Sequence, residues 1–128
     1  MAFLGALLVG AFVNMVWVQL GTFIVPPPEG ADVSTPEGLA KSMHLFQPKH
    51  FITPWLAHAL GTLAGSYAVT RWSTERKLFR SLLIGAIFFL GGAYMVYQLP
   101  TTPLWFKIAD LAGAYIPMAW LGNRLATR

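Results

Sequence analysis

The sequence predicts an all-α membrane protein, a bundle of four transmembrane helices with both termini in the cytoplasm (N-in/C-in). Two observations predict this class. Of the 128 residues, 55% are hydrophobic and 11% are charged, with a mean hydropathy of +0.55, whereas ordinary soluble domains carry about 25% charged residues. The apolar residues also form long stretches separated by polar connections, and about 20 apolar residues are enough to span a bilayer.

The first span is predicted at 3–25, inside a stretch without any charged residue. Three consecutive prolines at 26–28 end it, because a proline ring cannot continue a helix. The apolar stretch is longer than the core of a signal peptide, and no basic residue precedes it. We therefore predict a span that is retained.

The polar connection at 26–50 is predicted to contain a short amphipathic helix at 36–46, lying along the membrane surface. Two starts compete for it: Ser34 can open a capping box, or Thr35 can cap a helix with Pro36 in its first position. Apolar residues then recur at i, i+4 and i+7, namely Leu39, Met43 and Phe46.

The remaining chain supplies three further apolar stretches. We predict the second span at 51–70, a loop at 71–80, the third span at 81–99 and the fourth span at 104–123. Tryptophans fall near both ends of these spans, at Trp55, Trp72, Trp105 and Trp120. Two such aromatic belts are typical of the membrane–water interfaces.

Charge predicts the orientation. The 71–80 loop carries four basic residues against one acidic residue, whereas the 26–50 connection carries two lysines against three acids. Short loops rich in lysine and arginine stay in the cytoplasm. We therefore expect a multi-pass protein of the bacterial inner membrane, with the 26–50 connection outside and both termini cytoplasmic.

Small residues are expected to hold the helices together, because the hydrophobic effect does not drive association inside lipid. The glycines that form candidate packing faces are Gly10, Gly61, Gly65 and Gly113. Two interpretations remain open for these faces: close packing inside the bundle, or contact with a second copy or with another protein of a membrane complex. Pro117 is expected to kink the fourth span.

The polar residues inside the spans form the candidate site. His58 and Asp110 each lie seven residues into a span that enters from the outer side, so we expect them at the same depth and within direct or one-water reach. Lys107 is expected above Asp110, pointing outward. Tyr97 and Asn14 complete the candidate ligand- or ion-binding set. The outer half of the bundle is predicted to be polar and the inner half apolar.

Two interpretations of this pair stay open. It can be a polar tie that fixes helix register, or a pocket that binds a ligand, an ion or a proton, since ionisable residues inside membranes are candidates for function. The sequence predicts no catalytic residues, no metal or haem and no other cofactor. It has no cysteine, and its three histidines do not share a compact helical motif. No nucleic-acid partner is expected, because the basic residues are those of membrane orientation.

The segments HLFQPKHF (44–51), AHALGTLAG (57–65) and AYIPMAWLG (114–122) together resemble a group of small four-helix bacterial integral membrane proteins that are uncharacterised. This resemblance covers all four spans and implies the fold without implying an activity.

Three hypotheses about function follow. The first is a non-enzymatic accessory or interaction subunit that packs through small-residue helix faces. The alternative is a small transporter or ligand-binding protein with an outward-facing polar pocket around His58 and Asp110. The third is a membrane enzyme acting on a lipid-like substrate. A hollow outer half would favour the second hypothesis over the first.

Overall fold

The computed structural model describes residues 1–128 and contains α-helices, short 3₁₀ turns and no strand, which confirms the all-α class. The helices are α1 (Ala2–Ile24), α2 (Pro36–Ser42), α3 (Ile52–Trp72), α4 (Lys77–Gln98), α5 (Leu104–Gly113) and α6 (Ile116–Ala126). Two 3₁₀ turns, Met43–Leu45 and Pro48–Phe51, connect α2 to α3. The helix α3 is central, because it packs against α1, α4 and α6.

The predicted loop at 71–80 is shorter in the structure. The helix α3 continues to Trp72 and α4 already begins at Lys77, so only 73–76 connect them. Arg76 precedes α4 with φ 49° and ψ 38°, a left-handed backbone conformation that costs an ordinary residue roughly 1–2 kcal/mol. Of the four basic residues in this segment, Lys77 and Arg80 therefore lie in the first turn of α4, Arg76 directly precedes it and Arg71 lies in the last turn of α3.

The predicted fourth span is two helices instead of one. The helix α5 ends at Gly113 and α6 begins at Ile116, with Tyr115 at φ −116° and ψ −79° between them. Pro117 lies in the first turn of α6, where its missing N–H cannot bond to the carbonyl of Gly113. The expected kink is confirmed, and it is sharp enough to interrupt the helix.

The helices α1 and α3 run antiparallel with their backbones in contact. A methyl group placed on Gly10 would fall 2.7 Å from the carbonyl oxygen of Gly61, and one on Gly65 would fall 3.0 Å from the carbonyl oxygen of Ala6. Such approaches are possible only for glycine, as in membrane helix pairs with small-residue faces. These faces are therefore occupied within the chain.

The half of the bundle nearer the 71–80 segment is predicted to be apolar, and this prediction is wrong. Three buried hydroxyl groups lie along α3, at Thr62, Ser66 and Thr70, and a fourth, that of Ser73, directly follows the helix. Two of them bond to neighbouring helices: Ser66 Oγ donates to the Ser81 carbonyl at 3.3 Å, and Asn123 Nδ2 donates to Thr70 Oγ1 at 3.2 Å. On α4, Ser81 Oγ in turn donates to the Ala119 carbonyl at 2.7 Å. Every buried hydroxyl has a partner inside the protein, so this half of the bundle is polar and its polar groups are satisfied.

The helix α2 starts at the second of the two predicted positions. Thr35 Oγ1 accepts a hydrogen bond from the Gly38 N–H at 3.0 Å, with Pro36 in the first position. The α-helix is shorter than predicted and passes into a 3₁₀ turn at Met43. As expected for an amphipathic segment, Met43 is only 6% exposed while Lys41 is exposed.

The connection is anchored at the same end of the bundle as the turn between α4 and α5. Thr101 Oγ1 donates to the Ala40 carbonyl at 2.7 Å, and the Asp32 N–H donates to Ser42 Oγ at 2.9 Å. The N–H and O–H groups of Ser34 both donate to Asp32 Oδ1. These two bonds lower the pKa of Asp32, because they favour its carboxylate form.

Two helices, α1 and α4, are long and apolar enough to cross a membrane. Only 11% of the most apolar stretch of α1, and 22% of that of α4, is buried inside the protein. The helix α3 is 21 residues long, but its buried hydroxyls and His58 make it less apolar. The large side chains of α1 that remain exposed are Leu4, Leu8, Phe12, Met15, Val16, Val18, Leu20, Phe23 and Ile24.

Candidate functional site

His58 and Asp110 form a polar pair between α3 and α5, with Asp110 buried and His58 partly buried. His58 Nδ1 lies 2.7 Å from Asp110 Oδ1, across 52 residues of sequence, so the predicted proximity is confirmed. Asp110 is 3% exposed, and its other oxygen, Oδ2, accepts a hydrogen bond from the Tyr115 hydroxyl at 3.1 Å. The rings of His58 and Tyr115 are stacked, with centroids 5.8 Å apart and planes at 25°.

The break between α5 and α6 explains how Tyr115 reaches Asp110. In an uninterrupted helix of 3.6 residues per turn, side chains five positions apart point in clearly different directions. The turn at Tyr115 reorients its side chain toward the carboxylate, against the backbone of Gly92 on α4. Sequence reasoning missed Tyr115, although Pro117 two residues later was the signal that the helix is interrupted here.

The hydrogen bonds fix the roles of the histidine nitrogens. Asp110 accepts at both oxygens, so the His58 Nδ1 carries the hydrogen that it shares with Oδ1. In a neutral imidazole the other nitrogen, Nε2, is then a hydrogen-bond acceptor. Asp110 and Tyr115 thus hold the ring in one orientation and one tautomer.

A cleft of about 460 Å³ opens beside this pair, between the middles of α1 and α4. We call it the lateral cleft. Its lining residues are Ala11, Asn14, Met15, His58, Gly61, Thr62, Ile87, Phe88, Gly91, Gly92, Met95 and Tyr115. The helices α1 and α4 both pack on α3, and the Phe88 ring of α4 lies on Gly10 of α1, so the floor of the lateral cleft is α3 and its mouth faces sideways.

Two polar groups in the lateral cleft have no partner within the protein. Neither the Nε2 of His58 nor the amide of Asn14 makes a hydrogen bond, although every buried side-chain nitrogen and oxygen has a partner. Both groups are therefore accessible, and both residues line the lateral cleft. Asn14 packs directly on Gly61, which lies one helical turn from His58.

The other predicted site residues lie elsewhere. Lys107 Nζ donates to the Pro100 carbonyl at 3.1 Å, in the turn between α4 and α5, so it points away from Asp110 toward the end of the bundle, as expected. Tyr97 is 80% exposed and does not line the lateral cleft. A methyl group placed on Gly113 would fall 3.4 Å from the Trp55 ring, an ordinary van der Waals distance.

The three histidines are separated in the structure. His44 Nδ1 bonds to the Lys41 carbonyl at 2.8 Å, and His50 Nδ1 accepts from the Gln47 N–H at 2.8 Å. No three histidine, cysteine or acidic side chains come together in a way that could hold a metal ion. The chemistry of the site is therefore that of His58, Asn14 and the pair that orients His58.

Comparison of the chain with protein-family models, with curated proteins and with solved structures finds no match.

Proposed function

We propose that this protein is a four-span protein of the bacterial inner membrane that binds a membrane-dissolved molecule carrying a hydroxyl group, in the lateral cleft. The observation that carries the proposal is the pair of unpartnered polar groups, His58 Nε2 and the Asn14 amide, facing one cleft. Unpaired polar groups at the middle of a membrane are costly, and a ligand that bonds to both relieves this cost.

The distribution of charge supports the membrane placement. Six of the nine lysines and arginines lie at the end of the bundle where α1 and α4 begin and α3 and α6 end: Arg71, Arg76, Lys77, Arg80, Arg124 and Arg128. The only acidic residue at this end is Glu75. Apart from Asp110, which is buried inside the bundle, the other end carries three basic and three acidic residues. A basic end facing the cytoplasm is the pattern of inner-membrane proteins.

The exposed side chains support a multi-pass arrangement. Most of the apolar surface of α1 and α4 is exposed, whereas soluble monomers rarely expose large contiguous apolar patches. The helix α3 lies antiparallel to α1 along its length, and 21 residues rise about 31 Å, close to the thickness of a bilayer core. The helices α5 and α6 run parallel to α3 and together cover the same height, which makes the fourth crossing.

The shape and chemistry of the lateral cleft indicate the class of ligand. Its mouth lies between the middles of two apolar helices, so a ligand would enter from the lipid. Much of its wall is apolar, with Met15, Ile87 and Met95 exposed beside it. A hydroxyl group can donate to His58 Nε2 and accept from the Asn14 amide at once, which neither a carbonyl nor an alkyl chain can do.

Photolabelling tests this proposal. A long-chain alcohol with a diazirine group is added to membranes containing the protein, and labelled residues are identified by mass spectrometry. We expect labelling to concentrate at the lateral cleft and to fall about fivefold in Asn14→Leu, the effect of one net hydrogen bond. Gln19→Leu is the matched control, because Gln19 is an exposed amide on the same helix outside the cleft. Uniform labelling of all lipid-facing residues would overturn the proposal.

The interaction-subunit hypothesis finds less support. It relied on small-residue faces, and Gly10, Gly61 and Gly65 are already in backbone contact inside the chain. The lateral cleft beside His58 is the feature that favours ligand binding instead.

A further inference from the structure

A second cleft, of about 450 Å³, lies between the first turns of α1 and α4. We call it the arginine cleft. Its walls are apolar on both sides, with Phe3 from α1 and with Phe79 and Leu83 from α4. Phe79 is 61% exposed and Leu83 is 39% exposed. Two arginines, Arg76 and Arg80, line the same cleft, so the cleft has a cationic part and an apolar part.

The two arginines are neighbours at the start of α4: Arg76 directly precedes the helix and Arg80 lies in its first turn. The Arg80 N–H donates to the Arg76 carbonyl at 2.9 Å, which places the residues one turn apart. Like charges this close repel each other. The left-handed backbone of Arg76 adds strain at the same point, and backbone strain tends to occur where a ligand is held.

No acidic group neutralises these arginines. The only ion pair in the protein is that of His58 and Asp110, so Glu75 is not within pairing distance of any basic side chain. Arg80 Nη1 donates to Ser73 Oγ at 3.1 Å, which orients the guanidinium and leaves its other N–H groups free. Arg76 makes no side-chain hydrogen bond. Both guanidinium groups can therefore donate hydrogen bonds to an anion from outside the protein.

We propose that the arginine cleft binds an anionic phospholipid, with its phosphate on Arg76 and Arg80 and the start of an acyl chain along Phe3, Phe79 and Leu83. Guanidinium groups bind phosphate oxygens through paired, charge-assisted hydrogen bonds. A free phosphate ion would not contact the apolar walls, whereas a phospholipid occupies both the cationic and the apolar part of the cleft. The cytoplasmic leaflet, which the basic end would face, carries anionic lipid.

Native mass spectrometry tests this inference on the whole protein, with phosphatidylglycerol and the uncharged phosphatidylcholine as the two probes. We expect phosphatidylglycerol to be retained preferentially. Arg76→Gln should lower the affinity for phosphatidylglycerol about fivefold. The double variant Arg76→Gln with Arg80→Gln should lower it about thirtyfold, because each basic residue near an anionic surface contributes about 1 kcal/mol. Arg76 is exposed and makes no side-chain hydrogen bond, so its single substitution leaves the fold intact.

The control is Arg124→Gln. Arg124 lies at the same end of the bundle but outside the cleft, with its guanidinium 5.2 Å from the Trp120 ring centre. Phosphatidylglycerol binding should be unchanged in this variant. An equal loss in Arg124→Gln, or equal retention of both lipids, would overturn the inference. So would inorganic phosphate alone displacing the lipid at millimolar concentration, because the occupant would then be a free anion. None of these outcomes bears on the lateral cleft, so the two proposals fail separately.

Discussion

Asn14 lies directly on Gly61, where α1 and α3 cross. A methyl group on Gly61 would fall 2.8 Å from Asn14 Cβ and 2.9 Å from the Gly10 carbonyl oxygen. This contact places Asn14 beside Gly61, which lies one helical turn from His58, and all three residues line the lateral cleft. The close packing of α1 on α3 and the geometry of the candidate site therefore have the same origin.

Gly61→Val should destabilise the protein by about 1–3 kcal/mol, because the larger side chain must push α1 away from α3. Reversible unfolding in mixed micelles measures this change. The matched control is Gly91→Ala, since a methyl group there meets nothing within 4 Å. It should be neutral or stabilising by about 0.5–1 kcal/mol, as alanine favours helix over glycine. Equal losses in the two variants would contradict this account of the crossing.

Asp110→Asn should fold and keep most of its stability, because an amide can still form hydrogen bonds with His58 and Tyr115. Asp110→Leu removes both bonds and leaves two polar groups unpaired, so we expect a loss of about 1–3 kcal/mol. Tyr115→Phe removes one bond and should cost about 0.6 kcal/mol, the average for such bonds between membrane helices. The same unfolding assay in micelles ranks the three variants by stability. If Asp110→Leu were as stable as the native protein, the hydrogen bonds of Asp110 would not stabilise the fold.

Reporter fusions check the orientation. Fusions at Thr74 and at the C-terminus should both report a cytoplasmic position, and a fusion near Gly38 should report an external one. The reason is the basic residues that gather at one end of the bundle. An external signal at Thr74 would reverse the arrangement and place the arginine cleft in the other leaflet.

The docking of the connection between α1 and α3 is also testable. Spin labels at Met43 and Lys41 should differ in mobility, because Met43 is buried and Lys41 is exposed. Phe46→Asp should loosen the segment, since the Phe46 ring packs 5.8 Å from that of Phe51. Equal, high mobility at both labelled positions would show that the segment does not dock.

The sequence was sufficient to predict most of the helices and the central pair. Long uncharged stretches predict long helices, and equal distances along two parallel helices bring His58 beside Asp110. The sequence pattern could not decide whether Thr35 or Ser34 caps α2, because threonine and serine both cap helices well.

Three features needed the structure. The break before Pro117 turns Tyr115 back toward Asp110, and its size depends on tertiary packing against Gly92. The hydroxyl stripe on α3 was visible as a spacing of four residues, but hydroxyls are common in apolar helices and do not by themselves indicate a buried network. The lateral cleft depends on how far α1 and α4 stand apart on α3, which no local pattern specifies.

The central claim is that a hydroxyl group bonds to His58 Nε2 in the lateral cleft. The most direct measurement is the nitrogen NMR spectrum of the histidine rings, recorded on the protein in lipid nanodiscs as dodecanol is added. We predict that the His58 Nε2 resonance shifts and saturates, that Asn14→Leu weakens this response, and that His44 and His50 stay unchanged, because both lie in the connection outside the cleft. An unchanged His58 resonance, or an equal shift of all three histidines, would contradict the account.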